Sequence, residues 1–365
     1  MSIISKKYSE REITKDIIEY ITANRLTVDT KLASAKHMAE RYNVSPMTVN
    51  RAISKLVLDG IVYRHPGSGT FVGKVVPGRS HIKVKVFNWQ YNENDPLESA
   101  AYGTFYNTLI KGLEDFGFNV SISAKPPFHN KIFAGEHVEV FDLLIVPGGM
   151  ITSQTVSLLK RMQTPIVLIG DHKLSPWPFH QIFHDYAPGF EKALNYIKSI
   201  GFKKIFIACT DGETSNYRSD ILQQCAKQAK MTYEKLPFMH GIGAINPQYA
   251  ILSGRRHGKY CIEHKLEGVI FSVSDFIAWG ILDVFRENNI EAGKNIKLIS
   301  YDNLEGHGVY FRDKPVLTSI KHPLEQLAAS TVEMVEFIVG RKVSSDTVNH
   351  IVRVPASELI IRSSA

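Results

Sequence analysis

The chain has 365 residues, 44% of them hydrophobic and 22% charged, with a formal net charge of +7. That is the balance of a soluble globular protein long enough for two or three domains. No apolar run approaches the ~18 residues of a membrane span, and the start, Met1-Ser-Ile-Ile-Ser-Lys-Lys, turns polar before a signal-peptide core develops. The three cysteines, Cys209, Cys225 and Cys261, are odd in number and widely spaced. They indicate neither a disulfide framework nor a zinc site and read as buried thiols of a reducing cytoplasm.

The charge is uneven: residues 1–85 hold 15 Lys/Arg against 7 Asp/Glu, and the remaining residues hold 28 against 29. A basic head on a near-neutral body suits a nucleic-acid-binding module joined to something else. A solvated basic surface gives the same imbalance, so the motifs decide.

In chain order, a helix is expected over about Tyr8–Asn24, with Ile13, Ile17, Ile18, Tyr20 and Ile21 at helical spacing. After a turn at Leu26–Lys31, Ser34 can cap a second helix that turns Met38, Ala39 and Tyr42 inward. Ser45 then caps a third, with Pro46 at its first position, where a missing N–H costs nothing. Val49, Ile53, Leu56 and Val57 form its expected apolar face, and Asp59-Gly60 ends it. Ile61–Tyr63 and Thr70–Val72 read as two short strands around the turn Gly67-Ser68-Gly69.

This order of elements is a winged helix-turn-helix. The run Leu32–Ala39, the string Val44-Ser45-x-x-Thr48-Val49-x-Arg51-Ala52, Leu56, Asp59-Gly60 and the wing Gly67-x-Gly69-Thr70-Phe71-Val72 resemble the GntR family of bacterial regulators. The resemblance implies that the polar face of the helix at 46–58 enters the DNA major groove and that the wing approaches the minor groove or backbone. The implied contact residues are Lys36, Ser45, Pro46, Met47, Thr48, Asn50 and Arg51, with Arg64, His65, Gly67, Gly69 and Thr70 of the wing. One position departs from the family: the residue after Ser45 is usually Arg and here is Pro46, which removes a potential bidentate guanine contact. The alternative, a small domain that packs against protein, explains fewer of these features at once.

Residues 74–81 read as an interdomain connector, making residues 1–73 one domain and 82–365 the other. From Ile82 on, apolar strands alternate with helices. Strands are expected at 82–87, 141–146, 165–171, 204–208, 268–272 and 297–301, and helices at about 102–116, 189–200, 217–229 and 276–288. Short apolar runs without alternation are strands buried on both faces, and repeated strand-then-helix order gives α/β doubly wound parallel sheets. Ligands bind such folds at the strands' C-terminal ends.

Five strings in order, Phe202–Ala208, Asp211–Arg218, Ser274-Asp275-x-x-Ala278-x-Gly280, Leu298–Asn303 and Leu317–Pro323, resemble the effector domain of the LacI/GalR regulators. That resemblance implies a two-lobed, periplasmic-binding-protein-like domain that takes a small sugar. A GntR-type head on a LacI-type body is the architecture of arabinose-responsive repressors. The resemblance places Arg218 as the sugar-binding arginine, Asp302 as its acidic partner, Ser274 and Asp275 in a polar loop, and His322 where the family often has Gln. Asp275 has the alternative of capping its helix. Asp171, at a strand end, is a further candidate, and Trp89 and Tyr91 are candidate aromatic platforms beside Trp177 and Trp279; core packing is the competing role for each aromatic. For Arg218 and Asp302 the competing role is a structural ion pair.

An enzyme would need a nucleophile, an acid–base pair or a metal cluster. His180, His184 and Asp185 invite a metal reading, but they fall in a loop-like region after Pro176 and Pro178 without a supporting ligand array. Neither a phosphate-binding G-x-x-x-x-G-K-S/T loop nor a G-x-S-x-G elbow occurs, and Gly148-Gly149 is too little for a dinucleotide site. The expectation is a cytoplasmic, homodimeric repressor without cofactor or metal. Its expected partners are double-stranded operator DNA and a monosaccharide effector, with no membrane. The alternatives are the same regulator sensing a nucleobase or another non-sugar metabolite, and a sugar-binding protein without DNA function.

Overall fold

A computed structural model describes residues 8–24, 26–73, 82–88, 96–123, 141–148, 156–157, 159–160, 164–170, 179–237, 247–294, 296–309, 314–340, 349–356 and 358–365. Contacts divide the chain into two compact units: residues 1–85, 110–121 and 139–143 in one, residues 86–109, 122–138 and 144–365 in the other. The connector expected at 74–81 lies outside the described residues.

The first unit opens with α1 (Glu10–Ala23), α2 (Ala35–Tyr42) and α3 (Pro46–Leu58). Each starts at a serine whose side chain accepts an orphan N–H of the first turn: Ser9 from Glu12, Ser34 from His37, Ser45 from Thr48. Ser9 and Glu12 cap each other reciprocally, which sets the start of α1 beyond the expected Tyr8. Ile13, Ile17, Ile21, Met38, Ala39, Tyr42, Val49, Ala52, Ile53 and Leu56 share one core. Val57, expected on the inner face of α3, lies at its edge, 36% exposed, and Ala52 takes its place. At 3.6 residues per turn, positions 49, 52, 53 and 56 line one face. Strands β1 (Val62–His65) and β2 (Gly69–Val72) pair antiparallel, Val62 opposite Val72 and His65 opposite Gly69. Their turn carries Gly67 at φ 76° and Gly69 at φ 124°, a backbone that side chains rarely adopt. This is the winged helix-turn-helix expected from the sequence.

There follow β3 (Lys83–Phe87), α4 (Pro96–Asp115), β4 (Asn119–Ser123), β5 (Leu143–Pro147), β6 (Ile166–Gly170), β7 (His180–Asp185), α5 (Ala187–Ser199), β8 (Lys204–Ala208), α6 (Glu213–Gln228) and β9 (Thr232–Lys235). Then come α7 (Pro247–Glu263), β10 (Gly268–Ser272), α8 (Asp275–Glu287), β11 (Ile296–Asp302), β12 (Thr318–Lys321), α9 (Leu324–Gly340), β13 (Ile351–Pro355) and β14 (Leu359–Ile360). One sheet of the second unit has the order β14-β12-β11-β10-β8-β9. It is parallel except for the pair β12–β14. In the other sheet β13, β7, β6 and β5 lie side by side, all parallel. The chain passes between the sheets after β7, after β12 and after β13. These crossings touch: Ala356 N–H donates to the Asp185 carbonyl (3.0 Å) and Lys321 N–H to that of Glu358 (2.8 Å).

Two expectations change. The segment His180–Asp185, read as loop-like, is strand β7, buried along five of its six residues and paired on both edges. Its two histidines and glutamine hide the apolar run that marks a buried strand, so the flanking prolines misled. Helices α7 and α9, and strands β4, β9, β12, β13 and β14, are additional elements. In α7 the glycines and the Arg255-Arg256 pair break the periodicity, and the reason for the glycines is tertiary. A Cβ on Gly254 would lie 2.0 Å from the Ile277 carbonyl oxygen, and one on Gly280 2.0 Å from that of Ile251. Helices α7 and α8 therefore meet backbone to backbone, and Arg255 pairs across them with Asp283 and Glu287.

Candidate functional site

In the head, the polar side chains of α3 and the wing are solvated. Ser45, Pro46, Met47, Asn50 and Arg51 are exposed, Met47 at 66%, and Thr48 is half-buried. Lys36 on α2 and Arg64, His65, Gly67 and Gly69 of the wing are exposed as well, with Thr70 half-buried. Capping organises the start of α3: the Ser45 hydroxyl takes the Thr48 N–H (3.2 Å) and lies 2.9 Å from the Thr48 hydroxyl. Helix and wing are tied by Arg64, whose Nη2 donates to the carbonyl (3.2 Å) and Oδ1 (3.0 Å) of Asn50. Exposed cations, hydroxyls and an amide on a helix N-terminus and hairpin form a surface able to meet phosphates and base edges.

In the second unit a different kind of site stands where β8, β10, β11 and β12 end together. Arg218 comes from α6 after β8, Ser274 from the β10–α8 junction, Asp302 from the last position of β11, and His322 from just beyond β12. Arg218 is buried; its Nη1 donates to Asp302 Oδ1 (2.8 Å) and to the Val273 carbonyl (3.0 Å), and its Nε to the Tyr186 hydroxyl (3.2 Å). The guanidinium lies over the rings of Tyr186 (5.1 Å) and Tyr301 (4.7 Å), so cation–π attraction adds to the ion pair. Only 9% of the Arg218 side chain and 13% of that of Asp302 reach solvent, which leaves this pair little screening. The Ser274 hydroxyl donates to Asp302 Oδ2 (2.9 Å) and accepts the Phe276 N–H (3.3 Å), so Ser274, and not Asp275, caps α8.

Asp275 is fully buried, with Oδ1 accepting from the Ser319 hydroxyl and Oδ2 from the Leu304 N–H, both at 2.7 Å. Burial, and then the charge of Asp302, push its carboxyl up to about 8 against the pull of hydrogen bonds from Ser319, Ser300 and Leu304. The backbone N–H of His322 points at the Asp302 carbonyl (3.4 Å), and its ring lies 4.2 Å from that of His184. The other candidates, Asp171, Trp89, Tyr91 and Trp177, lie outside the described residues. Trp279 is a core residue, 1% exposed.

From sequence neither Tyr186 nor Tyr301 stood out, and His184 was considered only as a metal ligand. Tyr301 has its hydroxyl 2.6 Å from His184 Nε2, and both tyrosines frame Arg218. Tyr301 was signalled by its place next to Asp302 at a strand end. His184 and Tyr186 belong to β7 and its exit, hidden by the misread loop. Among the described residues no group of three or more His, Cys, Asp or Glu side chains is placed to hold a metal ion, and His180 instead stacks on His350. No described helix is long and apolar enough to cross a membrane.

The chain thus carries a winged helix-turn-helix and, after it, a doubly wound domain with a polar cluster at its strand ends. Comparison with known proteins agrees. The family model "Bacterial regulatory proteins, gntR family" matches residues 9–72, and "Periplasmic binding protein-like domain" matches residues 194–365. The chain therefore joins a gntR-type DNA-binding domain to a periplasmic-binding-protein-like domain, the make-up of a transcription regulator. It is similar to the arabinose metabolism transcriptional repressor of Halalkalibacterium halodurans, 24% identical over 328 residues, 84% of this chain and 82% of that protein. Its fold is similar to that of a LacI family transcriptional regulator from Enterococcus faecium with bound ribose (14% identity, TM-score 0.56, 77% of this chain and 98% of that one). It is also similar to the transcriptional regulator CelR in complex with cellobiose (16% identity, TM-score 0.59, 88% and 92%).

Proposed function

We propose that this regulator is a cytoplasmic homodimeric repressor that binds operator DNA through residues 1–73 and a small neutral sugar through residues 82–365. The observation that carries the sugar reading is the Arg218–Asp302–Ser274 cluster at the ends of parallel strands. An arginine fork, a carboxylate and a hydroxyl, all fixed in advance, match the adjacent hydroxyls of a sugar. A competitor lacking one of those hydroxyls leaves a dry polar group, at a cost of ~1–3 kcal/mol. The names of the relatives point the same way, one to arabinose metabolism, two to bound ribose and cellobiose. The proposed DNA surface is Lys36, Ser45, Pro46, Met47, Thr48, Asn50 and Arg51 with Arg64, His65, Gly67, Gly69 and Thr70. Two heads on a two-fold-related operator require a dimer of fixed spacing. Sugar and operator are then coupled reciprocally: a sugar that weakens DNA binding is itself weakened by DNA, by the same factor.

The test is a thermal-shift panel on the purified full chain with L-arabinose, D-ribose, cellobiose, sugar phosphates and nucleobases. A specific ligand at a hundred times its Kd stabilises the fold by ~2.7 kcal/mol. A shift with a neutral sugar supports the reading. A shift with nucleobases alone replaces the effector class and keeps the regulator, and no shift with any compound contradicts the sensor role.

A further inference from the structure

Asp302 and Asn303 are consecutive non-glycine residues with φ of 119° and 53°. Such backbone persists only when its surroundings over-determine it, and here the surroundings are on view. The Asn303 N–H donates to the Ser319 hydroxyl (3.0 Å), which donates to Asp275 Oδ1 (2.7 Å), while the Leu304 N–H donates to Asp275 Oδ2 (2.7 Å). From the other side Arg362, in the C-terminal segment, donates from Nη2 to Asn303 Oδ1 (2.7 Å) and from Nη1 to the Leu317 carbonyl (2.6 Å). Glu305 Oε2 takes the N–H groups of Val316 and Leu317 (2.8 Å each) and lies 3.9 Å from Arg362 Nη1.

The end of the chain that carries Arg362 is itself pinned. Arg362 N–H donates to Thr318 Oγ1 (2.9 Å), and the Thr318 hydroxyl donates to the Arg362 carbonyl (3.0 Å). The Ser364 hydroxyl accepts the Thr318 N–H (2.8 Å) and donates to the Leu298 carbonyl (2.6 Å). Ser364 is 2% exposed, so it anchors this segment in the body while its neighbours Ile361 and Ser363 stay exposed.

We infer that Asp275 and Arg362 are positioning residues for the effector. They clamp the turn at 302–304 from two sides and so hold the Asp302 carboxylate between Arg218 and Ser274. Neither touches the sugar, and affinity at the strand ends depends on a C-terminal segment more than fifty residues away in sequence. The fork of Arg362 is what the clamp needs, since it grips Asn303 and Leu317 at once, which a lysine's single point charge does not reproduce. This inference rests on the sugar reading above for its consequence, while the clamp itself is independent of it.

The experiment compares the full chain with Arg362→Gln, Arg362→Lys, Asp275→Asn, Asn303→Ala and Asp302→Asn. Hydrogen exchange is read on the peptide spanning 302–305, with the β8 peptide as internal control, and affinity is read by calorimetry with L-arabinose. Exchange over 302–305 is expected to rise at least tenfold in Arg362→Gln and Asp275→Asn with β8 unchanged. The Kd for L-arabinose is expected to rise at least tenfold in both, and Arg362→Lys to restore only part of it. Adding Arg362→Gln to Asn303→Ala is expected to cost less than the sum of the two single changes, because both remove the Arg362–Asn303 bond while only Arg362→Gln also frees the Leu317 carbonyl. Unchanged exchange at 302–305 overturns the clamp. So does unchanged affinity in Arg362→Gln when Asp302→Asn has lost binding. If neither the wild type nor Asp302→Asn responds to L-arabinose, the arabinose form of the sugar reading fails, and the exchange result alone decides the clamp.

Discussion

The head and the body of this regulator prepare for their partners in opposite ways. The head leaves its polar groups in water: Ser45, Asn50, Arg51 and Arg64 are exposed, and their geometry comes from helix caps and one helix-to-wing contact. The body buries its groups beforehand: Arg218 is 7% exposed and Asp302 sits on a strained turn under a clamp. A phosphate backbone is long, uniform and charged, so many weak, solvated contacts suffice to hold it. A small neutral ligand offers few contacts, and each polar partner must already be desolvated and aimed.

The largest expected effect tests the body's half of that contrast. Arg218→Ala leaves Asp302 buried without its charge partner and is expected to cost ~3–5 kcal/mol of stability. Chemical denaturation of the full chain measures this, with DNA binding by the head retained below the transition. Next comes Gly280→Ala, whose Cβ would meet the backbone of α7. Overpacking of this kind costs ~1–3 kcal/mol, read as a lowered Tm of the body.

The pH dependence of the body's stability sharpens the contrast further. The Asp275 carboxyl is raised by burial from the ordinary carboxylate range to about 8. The folded state therefore holds a proton there that the unfolded chain, with a pKa of ~3.9, releases much earlier. Its contribution is fully present below about pH 4 and is lost as pH rises through about 8. Asp275→Asn is expected to flatten that slope across the same window, with Tm against pH as the readout; an unchanged slope contradicts an anomalous Asp275.

The smallest change belongs to the head. Ser45→Ala removes the cap of α3 and is expected to destabilise that domain by ~1 kcal/mol. It should weaken binding to any DNA duplex in a gel-shift assay while leaving the sugar response intact. The head's affinity is also expected to fall steeply between 50 and 200 mM salt, as phosphate contacts require.

The same contrast decides what was legible in the sequence. The head is written in local signals: caps three residues from the N–H they bind, a proline at a helix start and glycines at positive φ, so its elements and their order follow from the chain. In the body the strands rich in Val, Ile and Leu were legible, and His180–Asp185 was not, because its polar side chains are satisfied only by partners across the fold. Arg218, Ser274 and Asp302 were found through the strings they sit in. The role of Asp275 was not: its partners, Leu304 and Ser319, are 29 and 44 residues away. Arg362 was likewise invisible, since nothing in Ile360-Ile361-Arg362 shows that it grips Asn303, 59 residues earlier. Trp89, Tyr91 and Asp171 stay as expectations, outside the described residues.

The central claim is that a sugar is read by the Arg218 guanidinium and the Asp302 carboxylate it holds. Its most direct test is calorimetric titration of the full chain and of Arg218→Lys with whichever neutral sugar shifts the wild-type Tm in the panel. Lysine keeps the positive charge and loses the two-pronged geometry. The account predicts that the variant folds, binds DNA and gives no heat with that sugar at concentrations saturating the wild type. An unaltered Kd in Arg218→Lys would contradict it and move the binding site elsewhere in the molecule.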